Sequence, residues 1–103
     1  MSVAAIRLLI ALYAIIYNVP QPVALEVARL ESDYNVTAQG DGGDAVGIFQ
    51  WHKPSWDIVR RAMGETTEDL RLDARENIRT AMYAMGPMKL GRWWSTWQMA
   101  EGL

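Results

Sequence analysis

Residues 30 to 52, LESDYNVTAQGDGGDAVGIFQWH, gather most of the side chains in this chain that could do chemistry. Glu31 closes an apolar helical pattern, and a glycine-rich loop follows with Asp41, Asp44, Gln50, Trp51 and His52. At 100° per residue Glu31 falls within a narrow arc of Ala24, Val27 and Ala28, while Glu26 points away with Arg29 and Asp33. Partial desolvation and the negative end of the helix dipole both disfavour a carboxylate there. A glutamate that keeps its proton toward neutral pH is what a general acid requires. Taken without the loop, the plainer alternative is a glutamate that curls into solvent or caps a loop amide.

The loop favours the chemical reading. Gly40, Gly42, Gly43 and Gly47 let backbone approach a ligand closely. Gln50 offers a carbonyl and an amide suited to hydroxyl and N-acetyl groups, and Trp51 and His52 add ring faces. An acid, a polar shelf and aromatics describe a glycosidase subsite better than a phosphate cradle. No lysine follows these glycines and no strand precedes them, which excludes a P-loop.

A hydrolytic outcome would need a second carboxylate, roughly 5–5.5 Å away for retention or 6.5–9.5 Å for inversion. Asp41 and Asp44 are the only loop acids within reach; Asp44 reads as turn chemistry, and Asp41 stays open between turn and site. His52, the only histidine in a chain without cysteine, is a poor metal ligand and reads either as a sugar contact or as a plain loop residue. A metal site is not expected.

Helices must position these groups. The punctuation of the chain predicts about five of them, no convincing strand, and one mainly α domain over residues 1–103. Ser2 caps a first helix that ends before Asn18-Val19-Pro20, and Pro22 sits in the first turn of a second. KPSWDIVRRAMG forms a third, with Trp56, Val59 and Met63 on one face and Gly64 as a left-handed cap. Asp73 and Glu76 form a near capping box ahead of the stripe Ile78, Ala81, Met82 and Met85. Trp93, Trp94 and Trp97 pack a last helix onto the body with one ring left for the groove, and Trp51 is the better cleft candidate.

Charge and composition exclude other classes. A net charge of -2 with scattered basic residues argues against nucleic acid as a partner. The apolar run over residues 3–17 is shorter than the ~20 residues of a bilayer span and lacks a small-x-small cleavage site. A helix buried on most sides accounts for it, and membrane association is not expected.

These residues resemble the lysozyme-like lytic transglycosylases of the soluble type. Glu31-Ser32 closes a helix, and Gly47-Ile48-Phe49-Gln50 stands as the family's Gly-hydrophobic-hydrophobic-Gln tetrad. GDGGDAVGIFQ looks most like the small phage and bacterial variants. YNVPQPVALEVARLES and DARENIRTAMYAM extend the likeness over most of the chain. The resemblance implies a compact lysozyme-like helical fold with the Gly-rich loop beside the cleft. It implies Glu31 as sole acid/base on the bond between N-acetylmuramic acid and N-acetylglucosamine, ending in a 1,6-anhydro ring, with no metal or cofactor involved. By position Ser32 supports the glutamate, Gln50 and His52 contact sugar, and Tyr83 lies near the cleft. The expected substrate-binding set is Ser32, Asp41, Gly47, Gln50, Trp51, His52, Tyr83 and Trp97.

Two departures bear on this. The family's late Ala-Tyr-Asn-x-Gly motif is represented only by STWQMAEG, so Trp97 or Tyr83 stands in for its tyrosine or activity is reduced. The last helix is also short, leaving room for a neighbouring protein or domain to complete one wall. The leading expectation is a monomeric enzyme acting on peptidoglycan in the bacterial envelope, of phage or bacterial origin, virion-associated or phage-released. Its rivals are a hydrolytic muramidase, a weak or inactive peptidoglycan-binding module of a virion or envelope assembly, and a membrane-associated helical protein.

Overall fold

A computed structural model describes residues 1–102, and its mainly helical architecture follows from local signals along the chain. Helix α1 (Val3–Ile16) starts where Ser2 Oγ accepts from the Ala5 amide at 3.1 Å. Asn18, at φ 59°, turns the chain into Pro20 and α2 (Gln21–Ser32), with Pro22 in the first turn as expected. Asp33 and Tyr34 both adopt left-handed φ values, 51° and 63°, which ends α2 abruptly after Glu31 and Ser32.

The loop beyond holds more structure than the sequence predicts. Two short strands, β1 (Gln39–Gly40) and β2 (Ala45–Val46), pair antiparallel with Gln39 opposite Val46 and Gly40 opposite Ala45. A 3-10 turn over Asp41–Gly43 joins them, with Gly42 at φ 68°. Two residues per strand are too few to leave an alternating pattern, so the pairing is invisible in the sequence.

Helix α3 (Lys53–Ala62) closes on Gly64 at φ 73°, the left-handed cap the sequence predicts. Helix α4 (Ala74–Met85) begins where Asp73 accepts from the Glu76 amide at 2.9 Å. The reciprocal half of the capping box does not form, because the Glu76 carboxylate is drawn to Arg60 and Arg79 instead. A 3-10 turn over Gly91–Trp93 precedes the short α5 (Trp97–Glu101), so Trp93 and Trp94 lie ahead of the last helix.

Helix α4 carries the predicted stripe: Ile78, Ala81, Met82 and Met85 are all buried. Helices α1 and α3 pack against it, α2 packs on α1, and α5 closes on α2. Burial of this apolar surface is the main stabilising contribution. Three polar residues, Arg60, Asn77 and Thr80, sit deep within it. The Arg60 guanidinium lies 5.1 Å from the Trp56 ring centroid and donates to the Thr66 carbonyl, Glu76 and Thr80 at 3.0, 3.0 and 3.1 Å. Pairing on every side makes a buried cation tolerable.

The expectation of α1 buried on most sides is corrected. Ile6, Ile10, Tyr13 and Ala14 face inward, but Leu8 and Ile15 are 72% and 64% exposed and Leu12 and Ile16 also face outward. The helix packs chiefly on α2 and α4, which leaves its other face uncovered. Among the described residues no helix is long and apolar enough to cross a membrane.

Candidate active site

The last turn of α2 delivers Glu31. Ala24, Val27 and Ala28 are fully buried beneath it, and the Glu31 side chain emerges half-buried at the end of their stripe. Glu26, on the opposite side, pairs with Arg29 at 2.6 Å. Ser32, the next residue, turns inward and donates to the Ile48 carbonyl at 2.7 Å.

The facing wall is the tight turn 46–51. Val46 and Trp51 exchange backbone hydrogen bonds at 3.1 and 3.0 Å, with Gly47 at φ 84° and Gln50 at φ 53° between them. Asn77, wholly buried on α4, holds this turn from behind. Its amide donates to the Val46 and Arg71 carbonyls at 3.2 and 2.8 Å, and its Oδ1 accepts from the Phe49 amide at 3.0 Å. A Cβ at Gly47 would collide with the Asn77 side chain and the Arg71 carbonyl. Gly47 therefore serves close packing and a positive φ, away from the cleft surface.

Between these walls lies a cleft of about 450 Å³, lined among others by Glu31, Asp41, Gln50, His52, Trp93 and Ser95. Burial pushes the Glu31 carboxyl above the ordinary glutamate range, and the Asp41 charge pushes the same way. A hydrogen bond from Thr96 Oγ1 to Glu31 Oε2, 2.7 Å long, pulls in the other direction. Asp41 in turn lies 2.9 Å from His52 Nε2 across the mouth of the cleft.

Of the residues singled out from sequence, Glu31, Asp41, Gln50, Trp51 and His52 meet at this cleft. Gln50 spends its amide on the Gly47 and Ala38 carbonyls at 2.9 and 3.2 Å, which leaves its carbonyl oxygen as the free polar atom. Trp51 lies in the floor, 2% exposed, with its ring edge-on to Trp56 and Trp94 at 5.8 and 5.1 Å. Trp93 is the exposed ring at the cleft, 46% accessible, while Trp94 is buried and donates to the Phe49 carbonyl at 2.8 Å.

Ser32, Gly47, Tyr83 and Trp97 are not part of the lining. Tyr83 packs edge-on against Tyr17 at 5.6 Å and reaches the Ala62 carbonyl at 3.4 Å. The Trp97 ring lies over Gly91, beside a separate hollow of about 210 Å³. Asp44 is exposed on the loop, where its carbonyl accepts from Arg71 at 3.0 Å.

Two side chains that hold the site were given no role from the sequence. Asn77 left a signal only as part of the family-like segment DARENIRTAMYAM, next to the apolar stripe of α4. Thr96 left none, because only the 3-10 turn ahead of α5 brings it to Glu31. Among the described residues no cluster of His, Asp or Glu is arranged to hold a metal ion.

A helical body that presents one half-buried acid in a polar, tryptophan-edged cleft has the form of a glycosidic-bond-cleaving domain. The model of the transglycosylase SLT domain matches residues 9–99, and the chain belongs to that family. Searches of curated proteins and of solved structures found no match. Membership brings peptidoglycan lytic transglycosylase activity in general, exerted on the cell wall.

Proposed function

We propose that this domain cleaves the β-1,4 bond between N-acetylmuramic acid and N-acetylglucosamine, with Glu31 as general acid and then general base. Glu31 first gives its proton to the glycosidic oxygen as the bond to the muramyl C1 breaks. The resulting carboxylate then takes the proton of the muramyl C6 hydroxyl as that oxygen bonds to C1. The products are a 1,6-anhydromuramyl end and a free N-acetylglucosamine end. The glutamate regains its proton and no water is consumed. The observation that carries this reading is the half-buried Glu31 at the cleft, its carboxyl raised by burial.

The Gln50 carbonyl, His52 and Asp41 supply polar contacts to sugar, and the exposed Trp93 ring offers an apolar face. Trp51 forms the floor beneath them, while Ser32 and Gly47 act by fixing the two walls. Asp41 supports a second reading, hydrolysis, since it is another carboxylate lining the same cleft and can stabilise a cationic sugar.

Incubation with purified peptidoglycan and mass spectrometry of the products decides between them. Anhydromuramyl ends are expected; reducing muramyl ends would replace the first reading with the second. Glu31→Gln should abolish cleavage with the helical circular dichroism intact, and full activity in that variant would overturn the assignment.

A further inference from the structure

We propose that Thr96 is a positioning residue that divides the labour of the Glu31 carboxyl, holding Oε2 as a fixed acceptor so that Oε1 carries the transferable proton. The inference rests on the acid/base role of Glu31 given above.

The geometry sets Thr96 firmly. Its Oγ1 donates to Glu31 Oε2 at 2.7 Å, across 65 positions of sequence. Its carbonyl accepts from the Ala100 amide at 3.0 Å, within the first turn of α5. Two residues upstream, the Trp94 indole is fastened to the Phe49 carbonyl at 2.8 Å. The hydroxyl is thus held between the turn that walls the cleft and the helix that closes on α2.

The other oxygen is left open. Oε1 of Glu31 makes no hydrogen bond to the described residues, yet none of their buried side-chain oxygens or nitrogens lacks a partner. Oε1 is therefore reached by solvent, and Glu31 lines the cleft.

A protonated carboxyl has one O–H oxygen and one carbonyl oxygen. The threonine hydroxyl has a single proton and gives it to Oε2, which suits the carbonyl oxygen. Placing the acidic proton on Oε2 would force the hydroxyl to rotate and break the contact. With the proton on Oε1, the same donor serves the acid before transfer and the carboxylate after it. No reorganisation is needed between the two halves of the cycle.

Thr96 also sets how acidic Glu31 is. Burial and the Asp41 charge raise the carboxyl, and the threonine donor opposes them. Among the described residues, the other titratable or charged groups lining this cleft are Asp41, in the turn between β1 and β2, and His52, ahead of α3. Glu26 and Arg29, also on α2, are paired with each other on the far side.

The test combines Thr96→Val and Thr96→Ser with two readouts: the NMR titration of the Glu31 side-chain carboxyl and the pH profile of peptidoglycan cleavage. Valine removes the donor, so the Glu31 midpoint should move to higher pH. The limb on which activity falls with rising pH should move with it. The kcat at the optimum should fall several-fold with KM unchanged, because the raised carboxyl is a weaker acid and its proton is no longer confined to one oxygen. Serine should restore all three. Thr96→Ala replaces valine should the latter not fold. A Glu31 midpoint and pH profile unchanged in Thr96→Val or Thr96→Ala would overturn the proposal and leave Glu31 as the acid. Absence of cleavage by the wild type would instead strike the functional reading, with the NMR midpoint still reporting on the threonine.

Discussion

The Ser32 hydroxyl donates to the Ile48 carbonyl across 2.7 Å and so fastens the residue after the acid to the opposite wall of the cleft. Ser32→Ala leaves that carbonyl without its donor at a cost of about 1–3 kcal/mol. Cleavage should fall by more than stability does, because an acid displaced by a fraction of an ångström from its working position loses rate steeply. Thermal melts and cleavage rates on the same preparation measure the two effects separately.

Asn77 satisfies three backbone groups around the turn 46–51 at once. Asn77→Ala should destabilise the domain by about 3 kcal/mol, as several buried polar groups lose partners together. Gly47→Ala attacks the same junction from the other side, since its Cβ has no space and its φ is positive. Both variants should lower the urea midpoint, and both should loosen the wall opposite Glu31.

Arg60 tests the buried ionic cluster. Arg60→Ala removes its contacts with Glu76, Thr80 and the Thr66 carbonyl, and a loss of about 3–5 kcal/mol is expected. Arg60→Met keeps most of the volume and should cost less. Hydrogen bonding to Arg79, and then to Arg60, holds the Glu76 carboxyl below its ordinary value. A carboxyl lowered by folding contributes stability above its unfolded pKa and loses it as pH falls through the folded one. Acid should therefore weaken the wild type more than Arg60→Met, and denaturant titrations from neutral pH downward measure the convergence.

Glu31 behaves in the opposite sense. Its carboxyl is raised by folding from an ordinary value near 4.5. Its favourable contribution is full below that value and is lost as pH rises through the raised folded pKa. Glu31→Gln keeps an acceptor for Thr96 and removes the charge. The variant should melt a few degrees above the wild type at neutral pH, with the gain vanishing in acid. Differential scanning calorimetry across pH checks both the sign and the window.

The helices and the acid were legible in the sequence because their determinants are local. Ser2, Pro22, Gly64 and Asp73 act on residues within a turn of themselves, and the periods of α2 and α4 assign an inner face without reference to anything else. The position of Glu31 beyond the stripe of Ala24, Val27 and Ala28 follows from helical geometry alone. The likeness of Glu31-Ser32 and Gly47-Ile48-Phe49-Gln50 to a family pattern also needs only their order in the chain.

Tertiary structure decided the rest. The outer face of α1 stays exposed because the helix packs chiefly on α2 and α4, and its composition is apolar on both sides. The strand pair beside the cleft is too short for any period to reveal it. Trp51, Trp93, Trp94 and Trp97 are one residue type, and packing alone made one a floor, one an exposed cleft ring, one a buried anchor and one the cover of Gly91. The partner of the acid was decided in the same way. Thr96 reaches Glu31 from 65 residues away, and a contact between distant segments depends on how whole elements dock, which no window of neighbouring residues encodes.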